Sequence, residues 1–271
     1  MSEIKNRLRF TTWNLRASSW EHSRRRLEFL RSIDWDVIAL QEVSEKAWTI
    51  FSESGLTEGG LYTLDGFGLE KTSRSHGVAL LVRNGFSLSE PDLLPENSQI
   101  GRTLAAKLHG LQQTVNVLSW HAPNAASSGA AFKMSSYKTI IGWINSVKGP
   151  TVIGLDGNHW NTSNKLELDS VPYDETNPFL LESWFFGANP PHRLRDALVE
   201  YYQCNLEIYE QRVAEHPLEP LAVSYVRGKT RDRFDYIFVS VEFEVTDCRY
   251  DYEGAIAAGS DHAIIVSDLS I

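Results

Sequence analysis

The sequence predicts a mixed α/β fold whose core is two β-sheets with helices on the outside. Strand and helix patterns alternate through the first forty residues, which is typical of β-α-β units. From Gly77 to His121, by contrast, strand patterns follow one another without a helix between them. Neither a doubly wound parallel sheet nor an all-β sandwich has both features, whereas a two-sheet core with outer helices does.

Eight runs have the alternating or continuous apolar pattern of strands. They are Leu8–Asn14, Asp36–Glu42, Gly77–Arg83, Thr103–Leu108, Thr114–His121, Thr151–Asp156, Arg233–Ser240 and Ala263–Leu269. Helical periodicity lies between them, with Ser44 and Glu45 as a helix entry. The predicted helices are Glu21–Ile33, Ser44–Ser54, Phe132–Val147 and Arg193–Tyr209. The long aperiodic segment Gly157–His192 is rich in Asn, Pro and Gly, and we expect it to be functional or mobile.

The domain organisation follows from the absence of any repeat, low-complexity tract or linker in the 271 residues, so we expect one domain over residues 1–271. The 42% hydrophobic content is ample for a buried core. The sequence has neither an apolar leader nor a run of about 18 apolar residues. Cys204 and Cys248 have no metal or disulfide spacing. These features predict a soluble, cytoplasmic protein.

The formal net charge of −9 excludes nucleic-acid binding through a general basic surface, because that mode requires an excess of Lys and Arg. Any recognition of phosphate must therefore be local.

Polar or ionisable side chains close or open six of the apolar runs, where a buried strand would otherwise stay apolar or alternate. A single such residue is usually a solvated or capping group, but six of them can converge at one edge of a sandwich. The residues are Asn14, Glu42, His121, Asp156 with Asn158, Asp235, and Asp261 with His262.

The motifs around these residues carry a family resemblance. In order they are Thr-Trp-Asn14, Gln41-Glu42, Ser-Trp-His121-Ala-Pro, Asp156-Gly-Asn158, Asp235-Tyr-Ile and Ser260-Asp261-His262. This series resembles the signature blocks of the endonuclease/exonuclease/phosphatase (DNase I-like) superfamily, from Leu8 to Leu269. The resemblance implies a four-layer α/β sandwich, with two mixed β-sheets face to face flanked by helices, and a Mg²⁺-dependent phosphodiesterase activity.

The resemblance also implies a metal site of oxygen ligands, which Mg²⁺ prefers. Glu42 would be the principal ligand, with Asn14 and Asp261 completing the shell directly or through water. Mn²⁺ is the alternative ion.

The catalytic roles are likewise implied by the resemblance. Asp156 would orient or deprotonate the attacking water, and Asn158 would hold a non-bridging phosphate oxygen. His262 would contact the phosphate, with Asp235 fixing its ring. His121 resembles the imidazole that protonates the leaving oxygen or binds phosphate.

The sequence departs from the family pattern in two places. The fourth block most often reads Gly-Asp-Phe-Asn, but here Gly157 stands between Asp156 and Asn158. We expect glycine to loosen this turn, with Trp160 as a bulky support. No acid stands in Arg74-Ser-His76-Gly77, where the DNase I branch has the partner of its catalytic histidine, so either His76 or Glu70 is the expected substitute.

Substrate contacts are predicted at Arg102, Trp160, Arg231 and Arg233. Arg102 resembles a phosphate-contacting arginine of the family, and the alternative for this residue is an ordinary surface arginine. Arg231 and Arg233 belong to the basic run from Arg227, which with the aromatic loop Trp184-Phe185-Phe186 would suit a nucleic-acid strand. The alternatives are that the aromatic loop is core and that the basic run protects a hairpin edge.

The function predicted first is therefore a nuclease acting on DNA or RNA. The alternatives are a phospholipid, phosphoinositide or nucleotide phosphohydrolase of the same fold, and a binding module that has lost turnover. The sequence leaves open DNA against RNA, endonuclease against exonuclease, and the oligomeric state.

Overall fold

The computed structural model describes residues 5–16, 20–69, 76–94, 101–166, 185–187 and 189–271. In chain order the strands are β1 (Arg7–Asn14), β2 (Val37–Ser44), β3 (Leu61–Tyr62), β4 (His76–Val82), β5 (Ser87–Asp92), β6 (Thr103–His109), β7 (Val115–His121), β8 (Thr151–Asp156), β9 (Arg195–Asp196), β10 (Tyr225–Arg227), β11 (Thr230–Asp232), β12 (Asp235–Val239), β13 (Glu244–Asp251) and β14 (Ile264–Ser270). The helices are α1 (Trp20–Ser32), α2 (Glu45–Glu53), α3 (Ala125–Ser128), α4 (Ala130–Ser146), α5 (Ala197–Cys204), α6 (Leu206–Glu215) and α7 (Tyr252–Ala257).

Two six-stranded mixed sheets form the core. Their strand orders are β13-β14-β1-β2-β4-β3 and β5-β6-β7-β8-β12-β9, and β10 and β11 form a separate hairpin. Each sheet has one parallel pair, β1 with β2 and β7 with β8, and its other pairs are antiparallel. The predicted two-sheet core is confirmed.

The two sheets are in close contact at Gly154. A Cβ on this residue would lie within 2.7–2.8 Å of Thr12 and Ala39 in the facing sheet, so only glycine fits. Gln41 crosses the same gap, because its Nε2 donates to Thr12 Oγ1 at 3.0 Å and to Ser119 Oγ at 3.2 Å. These contacts fix the relative position of β1, β2, β7 and β8.

Helices cover the outer face of each sheet. Apolar residues of α1 and α2, such as Leu30 and Phe51, pack with Leu40 on one outer face. On the outer face of the other sheet, Tyr137 and Ile140 of α4 pack in a second cluster with Ile153 of β8. Helix α2 begins as the sequence predicts, because the Ser44 hydroxyl accepts a hydrogen bond from Ala47 N. No helix in the described ranges is both long and apolar enough to cross a membrane.

The single helix predicted over Arg193–Tyr209 is wrong. The chain forms β9, then α5, and turns at Asn205 (φ −132°, ψ 60°) into α6. The carboxylate of Asp196 accepts from Leu198 N at 3.0 Å and so starts α5 later than predicted. The sequence also missed β5 and β13, which are edge strands with many exposed polar residues and hence a weak apolar pattern.

Candidate active site

Strand register brings the polar strand ends together. Parallel pairing sets Asn14 beside Gln41, and in the other sheet His121 beside Asp156. Antiparallel pairing then sets Asp235 opposite Asp156. Because β1 packs on β8 and β2 on β7, these ends meet at one edge of the sandwich. They open into a cleft of about 700 Å³, lined by Arg16, Glu42, Arg102, His121, Asn124, Ala125, Ala126, Ser127, Lys133, Asp156, Asn158, Trp160, Tyr225, Arg227, Asp232, Phe234, Asp261 and His262.

Asp156 is the buried carboxylate at the base of this cleft. Asn14 Nδ2 donates to its Oδ2 at 2.7 Å, and the backbone N of Asn158 donates to its Oδ1 at 2.8 Å. Burial raises the pKa of Asp156 to about 7, and nearby Asp235 adds to this, while His262 and the two donors oppose it. The carboxyl is thereby held in place and made more basic than a solvated aspartate.

His262 and Asp235 form a buried ion pair, with Nδ1 of the ring 2.9 Å from Asp235 Oδ2. Burial lowers the pKa of His262, but the charges of Asp235 and Asp156 outweigh it and raise the pKa to about 10. The imidazole is therefore a cation at neutral pH. Trp13 Nε1 fixes the backbone by donating to His262 O at 3.1 Å.

His121 lies between two carboxylates. Its Nε2 is 3.7 Å from Glu42 Oε1 and 3.5 Å from Asp156 Oδ2. Burial first, then the positive charge of Arg102, hold the pKa of His121 well below its usual value, so the ring is neutral.

Of the two substitutes expected for the missing acid, His76 lies near enough to His121 to contribute, by charge repulsion, to the lowering of its pKa. His76 is an exposed residue at the start of β4, and Glu70 lies outside the described residues. Glu42 and Asp156 are the acids that approach the His121 ring.

Glu42 reaches the cleft through an irregular backbone. The pairing of β2 with β4 shifts between Leu40 and Val43, and Glu42 has a positive φ of 51°. Arg16 (φ 49°) and Asn158 (φ 45°) share this left-handed conformation and also line the cleft. Such conformations cost energy in non-glycine residues and cluster at functional sites.

The donor set around Glu42 suits a hard cation. Glu42 presents a carboxylate to the cleft, and Asp261 Oδ1 is buried without a hydrogen-bond partner in the described part of the chain. Asn14 turns its Nδ2 towards Glu42 at 3.4 Å while its Oδ1 accepts from Arg16 N at 2.8 Å, so Asn14 fits the site through a water molecule. Asp156, Asp235 and His262 also place ligand atoms within 4.8 Å of one another. However, His262 Nδ1 is bonded to Asp235 and the ring is protonated, so this second group is an ion pair rather than a preferred cation site.

The turn between Asp156 and Asn158 is tightly held, contrary to the expectation from Gly157. Gly157 N donates to Phe234 O at 2.7 Å, and Tyr137 Oη donates to Gly157 O at 2.8 Å. A Cβ at position 157 would lie 2.7 Å from the ring of Phe186, so this ring occupies the space beside the turn. Phe186, and not Trp160, is the supporting aromatic residue.

Phe186 and its neighbour Phe185 are core residues, 7% and 1% exposed. Both rings pack on Tyr137 and Phe238. The interpretation of these two residues as a stacking loop for nucleic acid is therefore wrong, and the core alternative is confirmed for them. Trp184 of the same motif lies outside the described residues.

Two of the four predicted substrate contacts line the cleft, namely Arg102 and Trp160. Arg231 instead pairs with Glu219 at 2.6 Å and is absent from the cleft lining. Arg233 is buried, and its two terminal nitrogens bond to Asp196 at 2.6 and 2.7 Å. The prediction for Arg233 is corrected, because a buried guanidinium with a bidentate partner is a structural ion pair.

The cleft contains functional candidates that the sequence did not indicate. Lys133, on α4, donates from Nζ to Asn158 O at 2.6 Å, yet it belongs to no motif and lies on an outer helix. Arg16 follows Asn14 closely and lines the cleft. Tyr225, Arg227 and Asp232 come from the β10–β11 hairpin, whose basic run was the available signal.

Comparisons with known proteins agree with this architecture. The two-sheet sandwich is shared with solved structures of an endonuclease/exonuclease/phosphatase and of an APE2 catalytic domain. The chain belongs to the endonuclease/exonuclease/phosphatase family, since the sequence model of that family matches residues 11–262. A search of curated protein sequences gave no match.

Solved structures similar to this chain share its fold at low identity. The endonuclease/exonuclease/phosphatase from Bacteroides vulgatus is 17% identical, with a TM-score of 0.66 over 98% of this chain and 100% of that one. The Xenopus laevis APE2 catalytic domain is 18% identical, with a TM-score of 0.67 over 97% and 92%. D. rerio TDP2 complexed with single-strand DNA product is 13% identical, with a TM-score of 0.66 over 98% and 100%.

Proposed function

We propose that this protein is a Mg²⁺-dependent phosphodiesterase and that its substrate is a nucleic acid. The observation that carries the proposal is the convergence, in one cleft, of the half-buried Glu42, the basic carboxyl of Asp156 and the cationic ring of His262. Hydrolysis of a phosphodiester needs a cation site, a proton acceptor for water and a positive group at the phosphate.

The residues proposed to hold Mg²⁺, or Mn²⁺ in its place, are Glu42, Asn14 and Asp261. When bound there, the ion would neutralise charge on the phosphate oxygens. Glu42 is suited to this role because its side chain is 26% exposed and so reaches the open cleft.

Asp156 is proposed as the acceptor of the proton from the attacking water. Its oxygens are oriented by Asn14 Nδ2 and the backbone of Asn158, and its basicity is raised by burial. In the structure without substrate, Asn158 Nδ2 donates to Ala122 O at 2.8 Å and lies 3.4 Å from Asp156 Oδ2. We assign it to a non-bridging phosphate oxygen.

His262 is proposed to donate to the phosphate from the ring nitrogen that Asp235 leaves available. Since the ring is a cation at neutral pH, it can also supply the proton that the leaving oxygen needs when the P–O bond breaks. His121, held neutral, is assigned to phosphate binding or to proton transfer at the leaving oxygen.

A nucleic-acid substrate is favoured over a lipid for two reasons. Arg16, Arg102, Lys133 and Arg227 line the cleft beside its carboxylates, so basic groups are available to a phosphate there although the chain as a whole has a net charge of −9. Trp160 is 57% exposed at the same cleft and can stack on a base. A phospholipid, phosphoinositide or nucleotide phosphohydrolase remains the second candidate function.

The test is hydrolysis of bis(p-nitrophenyl) phosphate and of labelled single- and double-stranded DNA and RNA, with and without Mg²⁺. Wild type, Glu42→Gln and His262→Ala are compared, and Arg231→Ala serves as a control outside the cleft. We expect both cleft variants to lose at least about a hundredfold in kcat/KM and the control to retain it.

Each outcome selects one function. Mg²⁺-dependent cleavage of a nucleic acid that both cleft variants abolish establishes a nuclease and selects its polymer. Hydrolysis of the small diester alone moves the search to lipids and nucleotides. Absence of metal-dependent hydrolysis with every substrate favours a binding module.

A further inference from the structure

The β10–β11 hairpin forms one wall of the cleft and contacts His262, one of the proposed reacting groups. Tyr225, at the start of β10, has its ring 4.9 Å from the ring of His262 and stacks on Phe234 at 4.8 Å. Asp232, at the end of β11, pairs with Tyr225 in the hairpin register. The hairpin therefore lies beside the proposed phosphate position.

An exposed aromatic ring faces the hairpin across the cleft lining. Trp160 is 57% exposed, although the guanidinium carbon of Arg227 lies 4.5 Å from its ring centroid. This contact leaves the ring more than half exposed, and a guanidinium over an aromatic face is itself a planar stacking surface. The pair thus offers a platform for a flat group.

Asp232 supplies an unsatisfied acceptor at the same cleft. The residue is 3% exposed, and its Oδ1 is buried with no donor among the residues that the structure describes. A buried carboxylate oxygen without a donor costs stability and is rare in native proteins. Because Asp232 also lines the cleft, a bound molecule is the natural source of the missing donor.

We infer that Asp232, Trp160 and Arg227 form a nucleoside subsite, in which a base or ribose donates a hydrogen bond to Asp232 while the base stacks at Trp160. The inference rests on the proposed phosphodiesterase function and assigns the residues that would recognise a nucleoside of its substrate. An acyl chain offers no donor for a carboxylate, and an inositol ring offers donors but no flat face. A nucleoside offers both, attached to the phosphate.

The experiment compares a nucleoside diester with one that lacks a nucleoside. kcat/KM is measured for the p-nitrophenyl ester of uridine 5′-phosphate and for methyl p-nitrophenyl phosphate, which has the same leaving group but no flat group in place of the nucleoside, and their ratio defines the nucleoside preference. We expect Asp232→Asn and Trp160→Ala each to reduce this ratio by about tenfold or more, since a hydrogen bond to a charged group and a stacking contact each carry that much discrimination. Asp92→Asn, an exposed carboxylate on β5, is the matched control.

A deoxyuridine ester identifies the donor. If Asp232 accepts from the ribose 2′-hydroxyl, wild type prefers the ribonucleoside ester and Asp232→Asn loses that preference. If it accepts from the base, wild type and Asp232→Asn treat the two sugars alike, and the ratio still falls in the variant.

Binding separates this inference from the proposed activity. Titration calorimetry with uridine 5′-monophosphate and with inorganic phosphate should show tighter binding of the nucleotide, by at least about tenfold, and loss of that margin in Asp232→Asn. Two results overturn the nucleoside subsite even when diester hydrolysis is found. One is equal binding of the nucleotide and of phosphate by wild type. The other is a binding margin and a kinetic ratio that stay unchanged in Asp232→Asn and Trp160→Ala. Absence of hydrolysis with an intact binding margin overturns only the proposed function.

Discussion

The turn after β8 shows how one residue can depend on a distant one. Gly157 leaves space that the ring of Phe186 fills, and that packing holds Asp156 and Asn158 on either side of the turn. The backbone of Gly157 is further fixed by Tyr137 and Phe234. The apparent weakness in the motif is therefore compensated by an aromatic residue 29 positions away in the sequence.

Replacing Gly157 with alanine is expected to be destabilising by about 1–3 kcal/mol, because the new methyl group must displace the Phe186 ring. Diester hydrolysis should also fall, by about tenfold or more, since the flanking side chains shift. Urea unfolding and kcat/KM measure the two effects. Gly142→Ala is the control, because a methyl group at this position of α4 meets open space. The Gly142→Ala protein should be more stable than wild type by up to about 1 kcal/mol. A Gly157→Ala protein as stable as wild type would contradict the packing argument.

His192 is a buried neutral base away from the cleft. Its Nε2 lies 3.0 Å from Phe185 O, and its Nδ1 accepts from Leu194 N at 3.3 Å. Burial lowers the pKa of His192 to about 4, and the adjacent backbone hydrogen bonds oppose this only in part. The protonated form is therefore disfavoured in the folded protein.

This shift makes stability depend on pH in a defined direction. Above pH 6.5 the ring is neutral in both states, and as pH falls towards 4 the unfolded chain binds a proton that the folded protein does not. About 3 kcal/mol of unfolding free energy should be lost across that window. Urea unfolding at pH 7 and pH 4.5 should show a larger loss for wild type than for His192→Gln. Equal losses in the two proteins would refute the assignment.

At the scale of secondary-structure elements, a buried ion pair connects the second sheet to its outer helices. Arg233 precedes β12 and bonds to Asp196 of β9, whose carboxylate also caps α5. Arg233 Nε donates in addition to Tyr250 of β13 in the first sheet. One guanidinium therefore joins elements of both sheets directly beside Asp235.

Arg233→Ala should cost about 3–5 kcal/mol of unfolding free energy, because it leaves the Asp196 carboxylate buried without its partner. Arg231→Ala, two residues earlier, breaks only an exposed pair with Glu219 and should cost less than about 1 kcal/mol. Urea unfolding of the two variants compares them within one segment. Similar losses of unfolding free energy in the two variants would mean that the burial of Arg233 does not determine how much its ion pair stabilises the protein.

At the scale of the whole molecule, the cleft carries both signs of charge, because the carboxylates of Glu42, Asp156, Asp232 and Asp261 line it together with its basic side chains. The chain carries 26 Lys and Arg against 35 Asp and Glu, yet four Lys or Arg side chains line one cleft. An acidic protein with such a cleft should hold a few phosphates rather than a long stretch of backbone.

This distribution predicts a shallow salt dependence of nucleic-acid binding. With four cleft cations, the plot of log affinity against log salt for a single-stranded oligonucleotide should have a slope no steeper than about −3. Fluorescence anisotropy between about 50 and 200 mM salt, with Glu42→Gln used to prevent turnover, gives the slope. A slope beyond about −6 would require an extended basic surface and contradict the cleft as the main binding site.

Continuous apolar runs in the sequence predicted most central strands and the two-sheet core, because those strands are buried on both faces and must be largely apolar. The edge strands β5 and β13 were not predictable in this way, since half-exposed strands tolerate polar residues such as those of Ser87–Asp92. The break at Asn205 was likewise missed, because Asp196 and Asn205 act through local capping and backbone geometry within an otherwise helical pattern.

The sequence by itself determined the family, the sandwich and the polar residues at the strand ends, because motif order and strand alternation are local properties of the chain. Only the tertiary structure decided which cations reach the cleft, because burial and pairing depend on contacts between distant segments. In the folded protein Arg233 is buried against Asp196, Lys133 reaches the cleft from an outer helix, and Phe186 packs beside Gly157. In the part of the chain that the structure describes, one oxygen of Asp232 is also left without a donor, which no spacing in the sequence could reveal.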